Sequence, residues 1–598
     1  MLQETQTCNY WRDILKRVVS TVIFIAERGL AFRGENEILG SPKNGNFLGI
    51  LELIAQYDPF LARHIEKHGN MKSGHVNYLS STTCNELIDV MGRKVLDEII
   101  GRIKRAKYFS LSVDSSPDEA HIDQLTVIIK YVEFSSPIER FLTFIPHCGH
   151  TGKEMAEALL QFLHQHDIDI RNCRGQSYDN AANMSGKFKG MQALILEKNP
   201  FACFVPCFAH SLNLVGKSAA NACSTAVNFF NFFQNLFNFF TCSTYRYKIL
   251  NDALSKSERK YTIKNLSDTR WSCRADAAKA LLYGYEGIRD ALDAISSNPD
   301  EKDLVKNEAK ALYNKMVLLE TAIHIQFWHD ILSRFNSTSQ YLQSPSTSLK
   351  SAVLALQSLK AFVQSKKQSF EDYEQAGKKL SGTEEYRNIR TRAKNVRLNP
   401  IGSSNVGKSE ISPKQLYEKE AIVPVIEAIS VSLDQRIEGY QVVSDKFGFL
   451  GDINASAASL KSGALKLVEA YPDDLELELG DELVQLYAFA KESGNYEKDG
   501  QSIESFLYTL ILKNNLKCTF VNAEVTLRIY STIMVTNASG ERSFSKMKLI
   551  KNRLRTSMTN EKLAHLTLLS IESDILRAID FNDVINDFAS KKARKMIF

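Results

Sequence analysis

The spacing of apolar residues changes abruptly near Lys107, and this change constrains the fold more than any other feature of the sequence. Through the first hundred residues, apolar positions such as Leu15, Val18 and Val22 recur at helical spacing. After Lys107, residues Phe109, Leu111 and Val113 alternate with small polar residues, as in a strand with one buried face. Two more strand patterns, at 125–134 and 138–147, follow after short turns. Three strands joined this closely predict an antiparallel meander.

Helical and extended patterns then alternate. The sequence predicts the following elements: a helix at 152–166, a strand at 173–179, a helix over about 181–198, a strand at 201–207 and a helix beginning near His210. Three antiparallel strands that feed parallel strands through right-handed crossovers have few compact arrangements. The order therefore predicts an α/β core of the ribonuclease-H-like type.

From about Ala275 to Leu516 the sequence is helical, with no convincing strand. We therefore predict a ribonuclease-H-like core that is interrupted by a large all-α insertion and preceded by an α-helical N-terminal region. The expected domains are a helical region at 1–105, the first part of the core at 106–274, the insertion at 275–516 and the second part of the core at 517–598.

Composition supports a soluble globular protein. Of 598 residues, 44% are hydrophobic and 24% are charged, which fits neither a disordered chain nor a fibre. Ten cysteines are too few for a disulfide scaffold, the N-terminus lacks the apolar segment of a signal peptide, and no run of 18 apolar residues suggests a membrane helix. We expect a reducing compartment and no membrane partner.

The net charge of +5 is too small to name a polyanionic partner, but the charges are unevenly distributed. Ten acidic residues lie between Pro472 and Ser505, a run that we interpret as a solvated helix face and loop. The segment from Arg542 to Arg555 contains no acid, and its basic residues are Arg542, Lys546, Lys548, Lys551, Arg553 and Arg555. A solvated helix more often mixes signs, so this segment is predicted to follow a phosphate backbone.

Two aspartates stand where predicted strands end. Asp114 follows the first strand and Asp179 follows the fourth, and these strands are neighbours in the ribonuclease-H-like order. Two adjacent carboxylates repel unless a divalent cation lies between them, and with a third acid they hold the pair of Mg²⁺ ions used in phosphodiester chemistry. An Asp at a strand end is also a common helix N-cap, so the spacing alone leaves both interpretations open.

Several ordered motifs carry a resemblance to a known family. They are SVDSSPDEAHIDQLTVIIKYV, GQSYDNAANMSGKFKGMQALI, CFAHSLNLV, LSDTRW and SGERSFSKMKLIKNRLRTSMTNEKLAHLTLLSIE. Together they resemble the hAT superfamily of DDE transposases, and more narrowly its branch of TTF-finger and zinc-finger MYM-type proteins. The similarity covers about residues 9 to 575.

The resemblance implies roles for individual residues. Asp114, Asp179 and Glu541 would be the catalytic acids that bind Mg²⁺ or Mn²⁺, and His210, in the Cys207–His210 motif, would lie beside the scissile phosphate. Arg270 and Trp271 match the Arg-Trp pair of the family, whose Trp stacks on a flipped base. The polar residues around Trp271 favour a surface-accessible setting, although core packing is the ordinary role of a Trp.

The resemblance also implies partners. The family cuts transposon ends and joins them to target DNA, and its C-terminal hAT region dimerises, so we expect DNA, at least a homodimer, and the nucleus. Leu563, Leu566, Leu569 and Ile571 form an apolar stripe in that region, which either dimerises or packs the last helix onto the core. The rival interpretation is a domesticated, catalytically idle protein that acts through DNA binding and protein dimerisation.

Two other motifs give weaker evidence of function. Cys203, Cys207 and His210 offer three zinc ligands, but no fourth lies near them in the sequence. Residues 402–409 fit the P-loop pattern G-x₄-G-K-S, yet the preceding residues are basic and polar and Pro413 interrupts the helix that should follow. We therefore expect no nucleotide cofactor.

Overall fold

A computed structural model of the chain describes residues 2–70, 77–255, 261–266, 271–344, 349–387, 412–494 and 502–590. The chain divides into two compact units. One, the sheet unit, comprises residues 1–207 and 443–598, and the other, the helical unit, comprises residues 208–442. The loop that contains the P-loop-like motif, 388–411, lies outside the described residues.

The sheet unit begins with the predicted helical region. Its helices are α1 (Leu2–Glu27), α2 (Gly45–Ala55), α3 (Pro59–His68) and α4 (Ser81–Ala106). Two of these helices begin at the side chains that favour a helix start: Asp58 accepts hydrogen bonds from the backbone of Phe60 and Leu61, and Ser80 accepts one from Thr83. Val18 and Val22 of α1 are fully buried, which confirms the helical spacing of this region.

Five strands form the sheet. They are β1 (Phe109–Pro117), β2 (Asp123–Glu133), β3 (Ser136–Pro146), β4 (Cys173–Ser177) and β5 (Cys203–Phe204), in the order β3-β2-β1-β4-β5. The first three strands pair antiparallel, while β1 pairs parallel with β4 and β4 pairs parallel with β5. The predicted meander and the parallel extension are both present. The segment 201–207 forms a two-residue strand because only Cys203 and Phe204 pair with β4.

Short helices connect the strands. They are α5 (Gly152–Gln165), a 3-10 turn (Ile170–Asn172), α6 (Ala182–Ser185) and α7 (Met191–Lys198). Thr151 and Glu154 cap α5 reciprocally, in the capping-box arrangement. The predicted helix over 181–198 is two helices, which are separated by a loop that contains Gly186 and Gly190.

The described part of the helical unit contains helices and no strand. Its elements are α8 (Phe208–Ala220), α9 (Ser224–Thr241), α10 (Thr244–Leu254), α11 (Trp271–Tyr283), α12 (Tyr285–Ser297), α13 (Asp303–Met316), α14 (Leu319–Leu342), α15 (Leu349–Ser365), a 3-10 turn (Lys366–Gln368), α16 (Phe370–Ser381), α17 (Pro413–Tyr417), a π-helical turn (Glu418–Ile422) and most of α18 (Val423–Phe447). Phe229, Phe233 and Phe240 of α9 are buried and form part of an aromatic core.

The chain then completes the sheet unit. The remaining elements are a 3-10 turn (Gly448–Gly451), α19 (Ala457–Ala470), α20 (Leu479–Ser493), α21 (Ile503–Lys513), α22 (Val521–Thr532), α23 (Ala538–Ile550), α24 (Asn560–Ile571), α25 (Ser573–Ala578) and α26 (Phe581–Ser590). Within the described ranges, no helix has both the length and the hydrophobicity of a membrane span.

The two units divide the chain at positions other than the predicted domain boundaries. The helical unit begins at Phe208 and ends at Val442, whereas the sequence predicted an insertion from 275 to 516. Helices α8 to α10 pack in the helical unit, and α19 to α21 pack with the sheet unit. Helical periodicity shows where helices are and leaves their packing partners undetermined, which explains the difference.

Candidate active site

The sheet brings the two predicted aspartates to the same edge. The last register pair between β1 and β4 is Ser112 with Ser177. Asp114 and Asp179 each lie two residues beyond this pair, Asp114 within β1 and Asp179 just after β4 ends at Ser177, so both lie toward the same end of the sheet. β1 continues past Asp114 to Pro117 because its other side still pairs with β2, and the prediction that β1 ends at Asp114 is therefore wrong.

Helix α23 supplies the third acid. Glu541 lies in the first turn of α23, which packs against β1, β2 and β3. The Ser543 hydroxyl is 3.0 Å from the hydroxyl of Thr126, the β2 residue that is paired with Asp114. A Cβ at Gly540 would lie 3.3 Å from the Thr126 methyl group and 2.5 Å from the Asn537 side chain, so glycine allows the helix to approach the strand at this point.

Asn537, which sequence reasoning missed, joins the helix to the sheet. Its side chain is 2% exposed, its Oδ1 lies 2.6 Å from the Ser112 hydroxyl, and its Nδ2 donates to the Val113 carbonyl at 3.3 Å. Its backbone N–H donates to the Cys207 sulfur at 3.2 Å, and its carbonyl accepts from the Glu541 N–H. A polar residue four positions before a candidate catalytic acid was the signal that the sequence offered.

The negative charges of Asp179 and Glu541 act on Asp114. Burial, followed by the negative charges of Asp179 and Glu541, raises the pKa of Asp114 from 3.8 to about 7. The backbone N–H of Ser115 donates to Asp114 at 2.9 Å, and that of Ala181 donates to Asp179 at 3.1 Å. Within the described ranges, none of the three carboxylates forms an ion pair with Lys, Arg or His.

His210 and Trp271 belong to the helical unit. His210 is the third residue of α8 and is half-buried. Arg270 lies outside the described residues. Trp271, the first residue of α11, is only 5% exposed, so the prediction that it is surface-accessible is wrong for this conformation.

Contacts around Trp271 explain its burial. A Cβ at Gly216 would lie 2.3 Å from the indole ring, which shows that the ring rests directly on the backbone of α8. The Arg274 guanidinium lies 4.7 Å from the indole centroid, and the Phe230 ring packs edge-on at 6.1 Å. Polar neighbours in the sequence misled the prediction, because the segment before α11 is polar while Trp271 itself faces the core.

The basic segment beside Glu541 is only partly helical. α23 ends at Ile550, so Lys551, Arg553 and Arg555 lie beyond the helix. Arg542, Lys548 and Arg553 are exposed, while Lys546 and Arg555 are half-buried. Burial lowers the pKa of Arg555.

Lys551 is not part of this basic surface. Its side chain is 1% exposed, and its ammonium group donates to the Asp118 carboxylate at 2.7 Å. Asp118 also accepts from the Gln124 amide at 3.0 Å. The assignment of Lys551 to DNA binding is therefore corrected: this lysine neutralises a buried acid.

The apolar stripe of α24 packs inside the sheet unit. Leu563 and Leu569 are fully buried, Leu566 is 3% exposed, and α24 packs against α4 and β3. Ile571, the fourth residue of the stripe, is half-buried, so packing onto the core is confirmed for the other three.

Comparisons with known proteins agree with the fold at a coarse level. Residues 1–190 match the family DUF4371, described as the ZMYM1/FAM200, RNase-like domain. The human protein named 52 kDa repressor of the inhibitor of the protein kinase is 20% identical over 596 residues, which cover 95% of this chain and 75% of that protein. The mouse protein of the same name is 20% identical over 525 residues, covering 84% of this chain and 67% of the relative. These similarities support a relationship to transposase-derived proteins with an RNase-like domain.

Proposed function

We propose that this chain is a transposase-derived protein of the hAT type that cleaves DNA strands at transposon ends and joins them to target DNA. The observation that carries the proposal is the convergence of Asp114, Asp179 and Glu541 at one edge of the sheet, from three segments that are far apart in sequence. Three carboxylates in this position have no structural use as a group, since together they repel.

The three acids have the ligand type that a divalent cation prefers, although their carboxylate oxygens do not all lie within 4.8 Å of one another in the described structure. Carboxylate oxygens are the ligands that Mg²⁺ and Mn²⁺ prefer, and within the described ranges no Lys, Arg or His forms an ion pair with these acids. Asp114, Asp179 and Glu541 would hold the ions. When bound, such ions lower the pKa of an attacking hydroxyl and stabilise the leaving oxygen.

The protein's own groups orient the acids. The N–H groups of Ser115 and Ala181 each fix one carboxylate oxygen, of Asp114 and Asp179 respectively, so the second oxygen of each has a defined direction. Asn537 and Ser112 tie α23 to the sheet and so set the position of Glu541. Arg542, Lys548 and Arg553, which are exposed near Glu541 in the sequence, would contact phosphates of the bound strand.

The test is cleavage of a labelled duplex by the purified full chain. The duplex would carry the DNA sequences that flank the gene, nicked or intact, and the reaction would contain Mg²⁺ or Mn²⁺. We expect Asp179→Asn to reduce strand cleavage by about 10³-fold or more, because metal ions contribute several kcal/mol to transition-state stabilisation. Asp167→Asn, at an acid whose side chain is 91% exposed, is the matched control and should cleave normally. Cleavage that survives Asp179→Asn would refute the site.

A second candidate is a domesticated nuclear protein that binds DNA and dimerises without catalysis. The similarity along 95% of this chain to a protein named as a repressor favours it. This candidate predicts tight duplex binding, a dimer by light scattering, and no product with either metal. Metal-dependent cleavage by the wild-type chain that Asp179→Asn abolishes would exclude it.

A further inference from the structure

The loop between α6 and α7 presents an aromatic ring to solvent. Phe188 is 87% exposed, and its neighbours Lys187 and Lys189 are exposed as well. A phenyl ring left in water forfeits the hydrophobic gain that burial would provide. Single exposed rings are ordinary on protein surfaces, and what distinguishes Phe188 is the lysine on either side of it and its place in the fold.

The loop is held in place by its glycines. The Gly190 N–H donates to the Gly186 carbonyl at 3.1 Å, and the Gln192 side chain donates to the same carbonyl at 3.2 Å. A Cβ at Gly190 would lie 2.3 Å from the Gly186 nitrogen, so only glycine permits this closure. The flanking Met184 and Met191 are buried. The exposed ring therefore sits at the tip of an anchored turn.

This turn lies at the same edge of the sheet as the three acids. α6 begins three residues after Asp179, beyond the carboxyl end of β4. The Asn183 amide donates to the His150 carbonyl at 3.0 Å, just before α5, which follows the carboxyl end of β3. β3, β1 and β4 all run toward this edge.

We propose that Phe188 stacks on an unpaired base of the DNA strand bound at the three-carboxylate site, with Lys187 and Lys189 contacting the phosphates on either side. An aromatic face flanked by cations is the arrangement that binds single-stranded nucleic acid without reading its sequence. The glycine-closed turn adds rigidity, so little conformational entropy is lost on stacking. The location of the base rests on the proposed function, whereas the stacking does not require catalysis.

The experiment compares Phe188→Ala with Phe134→Ala in the full-length protein. Phe134 is 88% exposed, but it lies in the β2–β3 turn beside Glu133, at the opposite end of the sheet from Asp114. Both variants would carry Asp179→Asn, which prevents turnover. The probes are a fluorescent duplex with a single-stranded flap and the same duplex fully paired.

We expect Phe188→Ala to weaken binding of the flapped duplex by about 5- to 100-fold, the range of a lost base–aromatic stack, with a smaller effect on the paired duplex. Phe134→Ala should bind both probes as the parent does. Equal binding by the two variants would overturn the proposal, as would an equal loss on flapped and paired DNA. The double variant Lys187→Gln with Lys189→Gln should lower the slope of log affinity against log salt by about two, because two phosphate contacts are lost.

The result separates this proposal from that of strand cleavage. If the wild-type chain fails to cleave but Phe188→Ala still weakens flap binding, the stacking proposal stands and the catalytic one fails. If the wild-type chain cleaves and Phe188→Ala binds the flap like Phe134→Ala, the stacking proposal alone fails. A Phe188→Trp variant gives an independent reading, since quenching of the added indole by flapped DNA is expected only if the ring stacks.

Discussion

The sheet unit and the helical unit are stabilised in different ways. In the sheet unit, buried ion pairs join segments that are far apart in sequence: Lys551 with Asp118, 433 residues away, and Arg140 with Glu572, 432 residues away. The helical unit is one continuous stretch of chain, and rings such as Phe230, Trp271 and Trp328 form much of its core.

This difference follows from how each unit is assembled along the chain. Residues 443–598 must pack onto residues 1–207, although residues 208–442 separate the two segments in the chain. Apolar contacts alone give little preference for one packing arrangement of the late segment over another. A buried charge is costly unless its own partner meets it, so each ion pair favours a single arrangement of the late segment. A continuous helical segment has fewer alternative packing arrangements, so non-directional aromatic packing is sufficient to stabilise it.

Removing one partner of a buried ion pair should give the largest loss of stability. Lys551→Met leaves the Asp118 carboxylate buried without its cation and should lower the free energy of unfolding by about 3–5 kcal/mol. The double variant Lys551→Met with Asp118→Leu should recover most of that loss, because two apolar residues replace the pair. Urea unfolding of the single and double variants measures the loss of stability and its recovery. A Lys551→Met protein as stable as the parent would contradict this account of the sheet unit.

Trp271→Ala tests the helical unit in the same way. Removing a buried indole that packs on Gly216 and Phe230 should cost about 3–5 kcal/mol. Tyr283→Ala, at a ring of α11 that is 51% exposed, is the control and should cost far less. Differential scanning calorimetry of the two variants decides between a core indole and an exposed one, since a surface Trp kept for base stacking would cost little stability to remove.

Sequence patterns identified what depends on local order along the chain. The alternation after Lys107 predicted β1 to β3, and the strand order then predicted that Asp114 and Asp179 share an edge. The patterns could not predict which residues far apart in sequence contact each other. In the sequence, Lys551 is one more cation of a basic run, and only the structure shows Asp118 beside it. Trp271 likewise has polar neighbours in the sequence, and only the structure shows that it packs on Gly216.

Acid should also lower the stability of the helical unit, through a buried histidine. Burial lowers the pKa of His324 in the helical unit from 6.5 to about 4, and its ring packs against Phe229. The unfolded state therefore binds more protons between pH 6.5 and about 4, so stability is complete above pH 6.5 and falls as the pH is lowered through this window. The slope should be at most about 1.4 kcal/mol per pH unit.

His324→Phe removes this titration. The variant should lose less stability than the wild type between pH 7 and pH 4, as measured by urea unfolding at several pH values. Identical slopes for the two proteins would show that this histidine does not account for acid sensitivity of the helical unit.

The smallest change in stability should come from an exposed cation of α23. This prediction distinguishes exposed charges of the sheet unit from buried, paired ones. Lys548 is exposed, so Lys548→Gln should change the free energy of unfolding by less than about 0.5 kcal/mol, in contrast to Lys551→Met three residues later. If Lys548 contacts a phosphate, the slope of log affinity against log salt should fall by about one, equally for every DNA sequence. Lys466→Gln, at an exposed position of α19, is the control and should leave the slope unchanged. A Lys548→Gln protein that keeps the full salt slope would remove this residue from the DNA surface, and since Lys551 is paired with Asp118, the phosphate contacts of this segment would then come from Arg542, Lys546, Arg553 or Arg555.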